Sequence, residues 1–204
     1  FMGPANSVVK NAEAALEGKK AANKRTADKR QLNLGLIGAG LFARTTMLPV
    51  MQASSLYHFK GLATTGGIAS AQANEVFPFD YTTNDYRRLL EDEDVDLIAI
   101  STQHNSHAKF IVEALAAGKN VYVEKPLCLT LDELKRIEDA YKNSTGELFC
   151  GLNRRHAPLI REIKKELQTD KMPSVYDYIA NAGYTPPEHW TQEEGKGAGR
   201  IIGE

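Results

Sequence analysis

The stretch LGLIGAGLFA, residues 34–43, decides the fold because an apolar strand in it runs directly into a glycine-rich turn. Gly38 and Gly40 occupy the first two positions of the pattern G-x-G-x-x-G/A, and Ala43 occupies the third. The first glycine permits a tight turn, the second lets backbone approach a pyrophosphate, and the small third residue lets helix and strand pack closely. The N–H groups that open the next helix would face the pyrophosphate. The pattern predicts a dinucleotide site, with a ligand-free glycine turn as the alternative.

Strand and helix patterns alternate regularly from Asn33 onward. Short apolar runs predict strands near 33–38, 59–64, 95–101, 120–124 and 147–151, with a short one at 79–82. Helices fit between them, near 41–53, 67–75, 84–91, 106–117 and 131–143. The alternation predicts an α/β fold with a doubly wound parallel sheet, the Rossmann fold, in which ligands bind beyond the carboxyl ends of the strands.

Two local signals refine the helices. Pro49 lies inside the first expected helix and should kink it, because proline lacks an N–H group and crowds the preceding turn. Thr130 and Glu133 have the spacing of a capping box, which marks the start of the helix at 131–143.

Three regions are expected along the chain. Residues 1–31, rich in Ala, Lys, Asn and Arg, indicate an N-terminal helix and linker or tail. Residues 32–152 form the dinucleotide-binding domain, and residues 153–204 begin a second, α+β domain with a helix at 157–168 and a strand at 175–182. One strand and a loop cannot bury a core of their own, so we expect the second domain to be incomplete here.

Composition argues against several classes of partner. The 25 basic and 26 acidic side chains nearly balance, which gives no electrostatic footprint for nucleic acid. No apolar run approaches the roughly 20 residues of a membrane span. The two cysteines lack metal-ligand spacing, and no secretory signal is visible, so a reducing, cytoplasmic location is expected. His104 and His107 have no evident third ligand, so no metal is expected.

Four motifs occur in an order that resembles the Gfo/Idh/MocA oxidoreductases, the relatives of glucose-fructose oxidoreductase and inositol dehydrogenase. They are the glycine turn, STQHNSH at 101–107, EKP at 124–126 and GLNRR at 151–155. The EKP element, at the end of an expected strand, is the most specific of the four. The resemblance covers residues 33–204 and implies hydride transfer between NAD or NADP and a secondary alcohol of a sugar, inositol or related polyol.

The resemblance also implies site residues. Lys125 would be catalytic and would bind substrate, since an amine there can orient a hydroxyl and stabilise developing oxyanion charge. A surface lysine ending a strand is the alternative. Asn153 and Arg154 would bind substrate, and the small residues, hydroxyls and loop histidines would bind cofactor. The cofactor set is Gly38, Gly40, Leu41, Phe42, Ala43, Thr64, Ser101, Thr102, His104, His107 and Glu124.

Several of these residues have a more specific or an alternative interpretation. Glu124 is expected either to pair with ribose, to orient Lys125 or to form a structural ion pair. His107 matches the family histidine of its loop and is expected at a helix start over the cofactor. His104 is expected to be exposed to solvent or to form a local cap. His189 and Trp190, further along, contact a sugar ring or pack on the surface.

Several questions stay open at this level. The second strand ends in LATTGG at 62–67, without the acidic residue that NAD binders place there and without an arginine, so NAD and NADP are not separated. The resemblance implies a second-domain histidine as acid–base group, and GRIIGE at 199–204 stops short of it, so an incomplete active site is expected. The alternative function is a non-catalytic dinucleotide-binding sensor or regulatory module. Homo-oligomer formation is also left open.

Overall fold

A computed structural model describes residues 31–66, 73–169, 175, 177, 179 and 183–197. Within these residues, six strands form one parallel sheet in the order β3-β2-β1-β4-β5-β6. The strands are β1 (Leu32–Ile37), β2 (Tyr57–Ala63), β3 (Tyr81–Thr83), β4 (Leu97–Ile100), β5 (Asn120–Val123) and β6 (Leu148–Cys150). This order confirms the expected doubly wound sheet, because the chain moves outward from β1 on one side and starts again beside it at β4.

Helices occupy the connections between the strands. Those with defined bounds are α1 (Leu48–Ala53), α2 (Arg87–Glu91), α3 (His107–Ala116), α4 (Leu131–Asn143) and α5 (Pro158–Thr169). Residues 73–76 are also helical, while the rest of the helix expected at 67–75 lies mainly outside the described residues. The N-terminal segment 1–30, most of the strand expected at 175–182 and residues 198–204 lie outside them too.

Two apolar layers cover the sheet. One layer joins β1 and β2 to α1 and contains Leu34, Leu36, Leu48, Phe59 and Leu62. The other packs α3 and α4 on β4 and β5 and contains Ile98, Ile100, Ile111, Val121 and Ile137. Because both faces of the strands are covered, β1 and β4 are almost continuously apolar, as parallel strands of this class require.

The first helix differs from its expected form. A π turn (Ala43–Met47) precedes α1, and the Leu48 N–H donates to the carbonyl of Ala43, five residues back. In an α-helix the ring of Pro49 would press on the carbonyl of Thr45, and Pro49 has no N–H to offer it. The widened turn accommodates both effects, so the disturbance expected from Pro49 takes the form of a π turn before α1.

The start of α4 agrees with the capping pattern. The Glu133 N–H donates to Thr130 Oγ1 at 3.2 Å, and the Thr130 N–H donates to Glu133 Oε2 at 3.2 Å. These reciprocal bonds satisfy N–H groups that a helix start leaves without intrahelical partners. They fix where the chain turns after β5, close to the EKP element.

Candidate functional site

The glycine turn approaches the backbone that follows β4. Gly38 has φ +90°, in the left-handed region that favours glycine. A Cβ there would lie 2.5 Å from the carbonyl oxygen of Ser101 and 2.7 Å from Thr102 Cγ2. The ladder continues up to this point, since the Gly38 N–H donates to Ala63 and the Ser101 N–H donates to Ile37, both at 2.9 Å. Only glycine fits where β1 and β4 end side by side.

The helix that follows presents its opening amides at the same edge. The Arg44 N–H donates to the Gly40 carbonyl at 3.1 Å, so the amides of residues 41–43 belong to the opening turn. Ala43 is fully buried, whereas Leu41 is 70% exposed and Phe42 is 38% exposed. A side chain at Gly40 would have space, with its nearest neighbour, the Ser101 carbonyl oxygen, at 3.9 Å. The second glycine therefore leaves open backbone surface, as a bound phosphate needs.

A cleft opens beside this turn at the carboxyl ends of β1, β2 and β4. It is lined by small, hydroxyl and aromatic residues, namely Ile37, Gly38, Ala63, Thr64, Thr65, Asn84, Tyr86, Thr102 and Phe110. None of these lining residues is acidic. Tyr86 and Phe110 meet edge to face with ring centroids 4.8 Å apart, and Tyr86 Oη donates to Glu113 Oε2 at 2.7 Å. The cleft thus combines apolar walls with several hydroxyl and amide groups that could fix the orientation of a small molecule.

Thr64 stands where β2 ends. Its N–H donates to the Thr83 carbonyl at 3.1 Å, and its Oγ1 accepts from the Gly66 N–H at 3.3 Å. These bonds hold the side chain beside the cleft, where other dinucleotide folds place a carboxylate on the ribose. The structure therefore brings a neutral hydroxyl to the end of β2, beside the cleft.

The EKP element follows β5 along the same sheet edge. Glu124 is 8% exposed, and Tyr122 Oη donates to Glu124 Oε1 at 2.6 Å. Burial and this carboxylate raise the pKa of Tyr122, so its hydroxyl stays a donor. A Cβ on Gly151 would lie 2.6 Å from Tyr122 Oη and 2.8 Å from Glu124 Oε1, so the residue directly after β6 is a glycine where this pair needs room. Lys125 is half-buried, and its peptide bond to Pro126 is cis.

His107 ties the loop after β4 to this element. The ring is fully buried at the first position of α3, as expected for a helix-start residue. Its Nδ1 lies 2.7 Å from the Pro126 carbonyl oxygen, and its Nε2 lies 3.2 Å from the Thr102 carbonyl oxygen. Burial lowers the pKa of His107, although both carbonyls favour the charged ring. In this position the ring braces the two loops that border the cleft.

The structure contradicts the expectation that His104 is exposed to solvent, because only 9% of the residue is exposed. Trp190, from the segment 183–197, covers it edge to face with ring centroids 4.9 Å apart, and the His107 ring lies 5.8 Å away. No local pattern relates positions 86 residues apart, so the sequence carried no signal for this contact.

The remaining expected residues lie at the rim. Thr102 Oγ1 and Ser106 Oγ are 2.6 Å apart, and Ser106 Oγ donates to the Gln103 carbonyl, so this hydroxyl pair shapes the loop. Asn153 and Arg154 are exposed in a 3₁₀ turn (Asn153–His156) directly after β6. Tyr86, Phe110 and Tyr122 were not singled out from the sequence, although aromatic residues beside strand ends are a usable signal.

Among the residues that the structure describes, no group of three or more His, Cys, Asp or Glu side chains could hold a metal. No helix among the same residues has the length and apolar character to cross a bilayer.

Comparison with known proteins gives consistent matches. The model of the Gfo/Idh/MocA oxidoreductase family, with an NAD-binding Rossmann fold, matches residues 32–152. Levoglucosan dehydrogenase from Pseudarthrobacter phenanthrenivorans is 30% identical over 156 residues, which cover 73% of this chain and 40% of that protein. scyllo-Inositol 2-dehydrogenase (NAD(+)) from Bacillus subtilis is 26% identical, over 68% of this chain and 45% of that protein. The chain therefore spans less than half the length of these relatives.

Solved structures match over the same part. Levoglucosan dehydrogenase in complex with NADH and levoglucosan has a TM-score of 0.62 and 30% identity, covering 68% of this chain and 40% of that chain. A 3-ketoreductase from Actinomadura kijaniata in complex with NADP and TDP-benzene has a TM-score of 0.63 and 27% identity, covering 68% and 42%.

The two glycines of the turn can be separated by experiment. Gly38→Ala is expected to lower the free energy of unfolding by about 1–3 kcal/mol, because it strains φ and meets the Ser101 carbonyl. Gly40→Ala has room and should keep that free energy within about 0.5 kcal/mol, but weaken nucleotide binding about tenfold or more. Urea unfolding measures the free energy of unfolding of both variants, and calorimetric titration with NAD and NADP measures their nucleotide binding. Equal binding by Gly40→Ala and the natural chain would contradict the pyrophosphate role.

His107 predicts a pH dependence of stability. Its pKa is lowered in the folded state, so the unfolded chain binds more protons at and below the ordinary histidine pKa of about 6.5. The contribution of the neutral ring is therefore complete above that pH and is lost as the pH falls below it. His107→Gln should flatten this decline in urea unfolding measured on either side of that pH. An unchanged slope would show that His107 does not titrate with unfolding.

Proposed function

Since this chain belongs to the Gfo/Idh/MocA oxidoreductase family, with its NAD-binding Rossmann fold, we propose that the protein transfers hydride between NAD or NADP and a secondary alcohol of a sugar, inositol or related polyol. The relatives named above carry activities of this kind in their names, which supports the substrate class. The observation that carries the proposal is the common edge of the glycine turn and the EKP element. A cofactor held at one and an amine offered by the other would meet over β4 and β5.

The residues fit a dinucleotide. Gly38 closes the turn where any Cβ would meet the Ser101 backbone, and Gly40 leaves the backbone bare. The opening amides of the helix suit a pyrophosphate, and the aromatic walls at Tyr86 and Phe110 suit an adenine ring. When bound, the nicotinamide supplies the hydride chemistry, and the protein supplies binding and orientation.

Lys125 takes the role of the group that holds the reacting oxygen. Its half-buried position after β5 places it beside the loops braced by His107. An ammonium group donates hydrogen bonds to the substrate oxygen and stabilises the negative charge that this oxygen carries once its proton has passed to the second-domain acid–base histidine that the resemblance implies, or as a carbonyl accepts hydride in the reverse direction. Asn153 and Arg154, exposed directly after β6, would contact the remaining hydroxyls of the substrate.

Replacement of Lys125 tests the reaction. In the full-length protein that contains this chain, Lys125→Met should lower kcat about 10²–10⁴-fold, since it removes the group that holds the hydroxyl. The dissociation constants for NAD and NADP should change less than about threefold. Lys135→Met, an exposed lysine on α4, is the matched control. Steady-state kinetics over a panel of sugars and polyols, with calorimetry for the nucleotides, gives the readout.

The outcomes separate the two functional classes. Turnover of a polyol that Lys125→Met abolishes supports the oxidoreductase. Nucleotide binding by the full-length protein with no turnover of any substrate supports the sensor or regulatory module. Failure of NAD, NADH, NADP and NADPH all to bind would end the proposal.

Thr64 is proposed as the residue that governs the choice between the two nucleotides. Thr64→Asp places a carboxylate at the ribose position, which accepts from the ribose hydroxyls of NAD and repels the 2′-phosphate of NADP. The ratio of the two dissociation constants should move toward NAD by about tenfold or more. Thr64→Asn is the matched control, because asparagine has nearly the shape of aspartate and can also accept from the Gly66 N–H, but carries no charge. A shift as large in Thr64→Asn would show that charge at this position is not the cause.

A further inference from the structure

A segment distant in sequence contacts the loop that borders the cleft. Trp190, the only tryptophan of the chain, packs edge to face on His104, with ring centroids 4.9 Å apart at 75°. His104 is 9% exposed in this contact. An aromatic pair of this geometry is favourable beyond the area that it buries. The contact joins segment 183–197 to the residues that follow β4.

Segment 183–197 is built locally to hold the indole. Trp190 begins a 3₁₀ turn (Trp190–Gln192), and the side chain of His189 accepts from the Thr191 N–H. Glu193 closes the next turn, accepting from the backbone N–H groups of Lys196 and Gly197. Lys196 Nζ also pairs with Glu193 at 2.7 Å. These short-range bonds limit the positions that the indole can take.

The contact continues inward from His104. The His107 ring centroid lies 5.8 Å from that of His104 at 59°, and His107 Nδ1 lies 2.7 Å from the Pro126 carbonyl oxygen. Trp190, His104 and His107 therefore form a row of three rings that ends at the residue after Lys125. Packed rings have few alternative rotamers, so a row of this kind transmits a change of position more directly than flexible side chains do.

We infer that Trp190 is a positioning residue, which through His104 and His107 sets the Lys125–Pro126 element and the loop after β4 against segment 183–197. The inference rests on the proposed function, because the cleft that these loops border is the one assigned there to NAD or NADP. A nucleotide that occupies the cleft must contact or displace the loop carrying Ser101 and Thr102. The row of rings then conveys that change to Trp190.

The single tryptophan makes a direct test possible on the 204-residue chain. NAD and NADP are titrated while acrylamide quenching of Trp190 emission is measured, and calorimetry reports binding in parallel. Binding should change the quenching constant in the natural chain and in His104→Phe, which keeps a ring. In His104→Ala the constant should stay unchanged when the cleft is saturated, with saturation set for each variant by its own calorimetric dissociation constant. Binding with no change at Trp190 in the natural chain would overturn the inference but not the proposed function. No binding by either nucleotide would overturn both.

Kinetics on the full-length protein give a second readout. Trp190→Ala should lower kcat about three- to tenfold, with a smaller change in KM for the nucleotide, and Trp190→Phe should restore most of the loss. If Trp190 had only a structural role, Trp190→Ala would lower the free energy of unfolding and leave kcat per folded molecule unchanged. That second result for Trp190→Ala would contradict a positioning role.

Discussion

The contact between Gly38 and the backbone of Ser101 is the constraint on which the rest of the site depends. It lies between β1 and β4, where the order in which the chain adds strands to the sheet reverses. The close approach is possible only because residue 38 has no side chain and accepts a positive φ. A larger residue would push the two strand ends apart. The glycine turn, the loop with Ser101 and Thr102, and the EKP element are neighbours because these strand ends stay together. The chemistry proposed for the cleft follows from that spacing of backbone and not from an unusual side chain.

Local patterns predicted most of the fold. The apolar runs located β1, β4 and β5, and the Thr130–Glu133 spacing located the start of α4, because each signal depends on residues a few positions apart. The parallel order of the sheet followed from the regular alternation of strands and helices. The π turn before α1 was not foreseen. Pro49 signalled a disturbance, but a kink, a break and a widened turn all relieve the same clash.

The site was predicted less completely, since much of it depends on contacts between distant segments. Glycines, threonines and the EKP letters are recognisable in order along the chain. The burial of His104 under Trp190 depends on the packing of segments that no local period connects. The bond from Tyr122 to Glu124 joins residues two apart at the end of β5, so a local signal for it was present and was not used. His107 lies between these cases. Its place at a helix start was predictable, whereas its two carbonyl neighbours come from different loops.

The π turn also affects how this chain compares with others. A bond that spans five residues holds one more residue than the α-helical bond across the same rise, so the helix after the glycine turn contains an extra position without being longer. A relative with an ordinary helix here would match this chain only after a gap of one residue between Ala43 and Leu48. Without that gap, the apolar positions of α1 would be paired with positions about 100° away around the other helix.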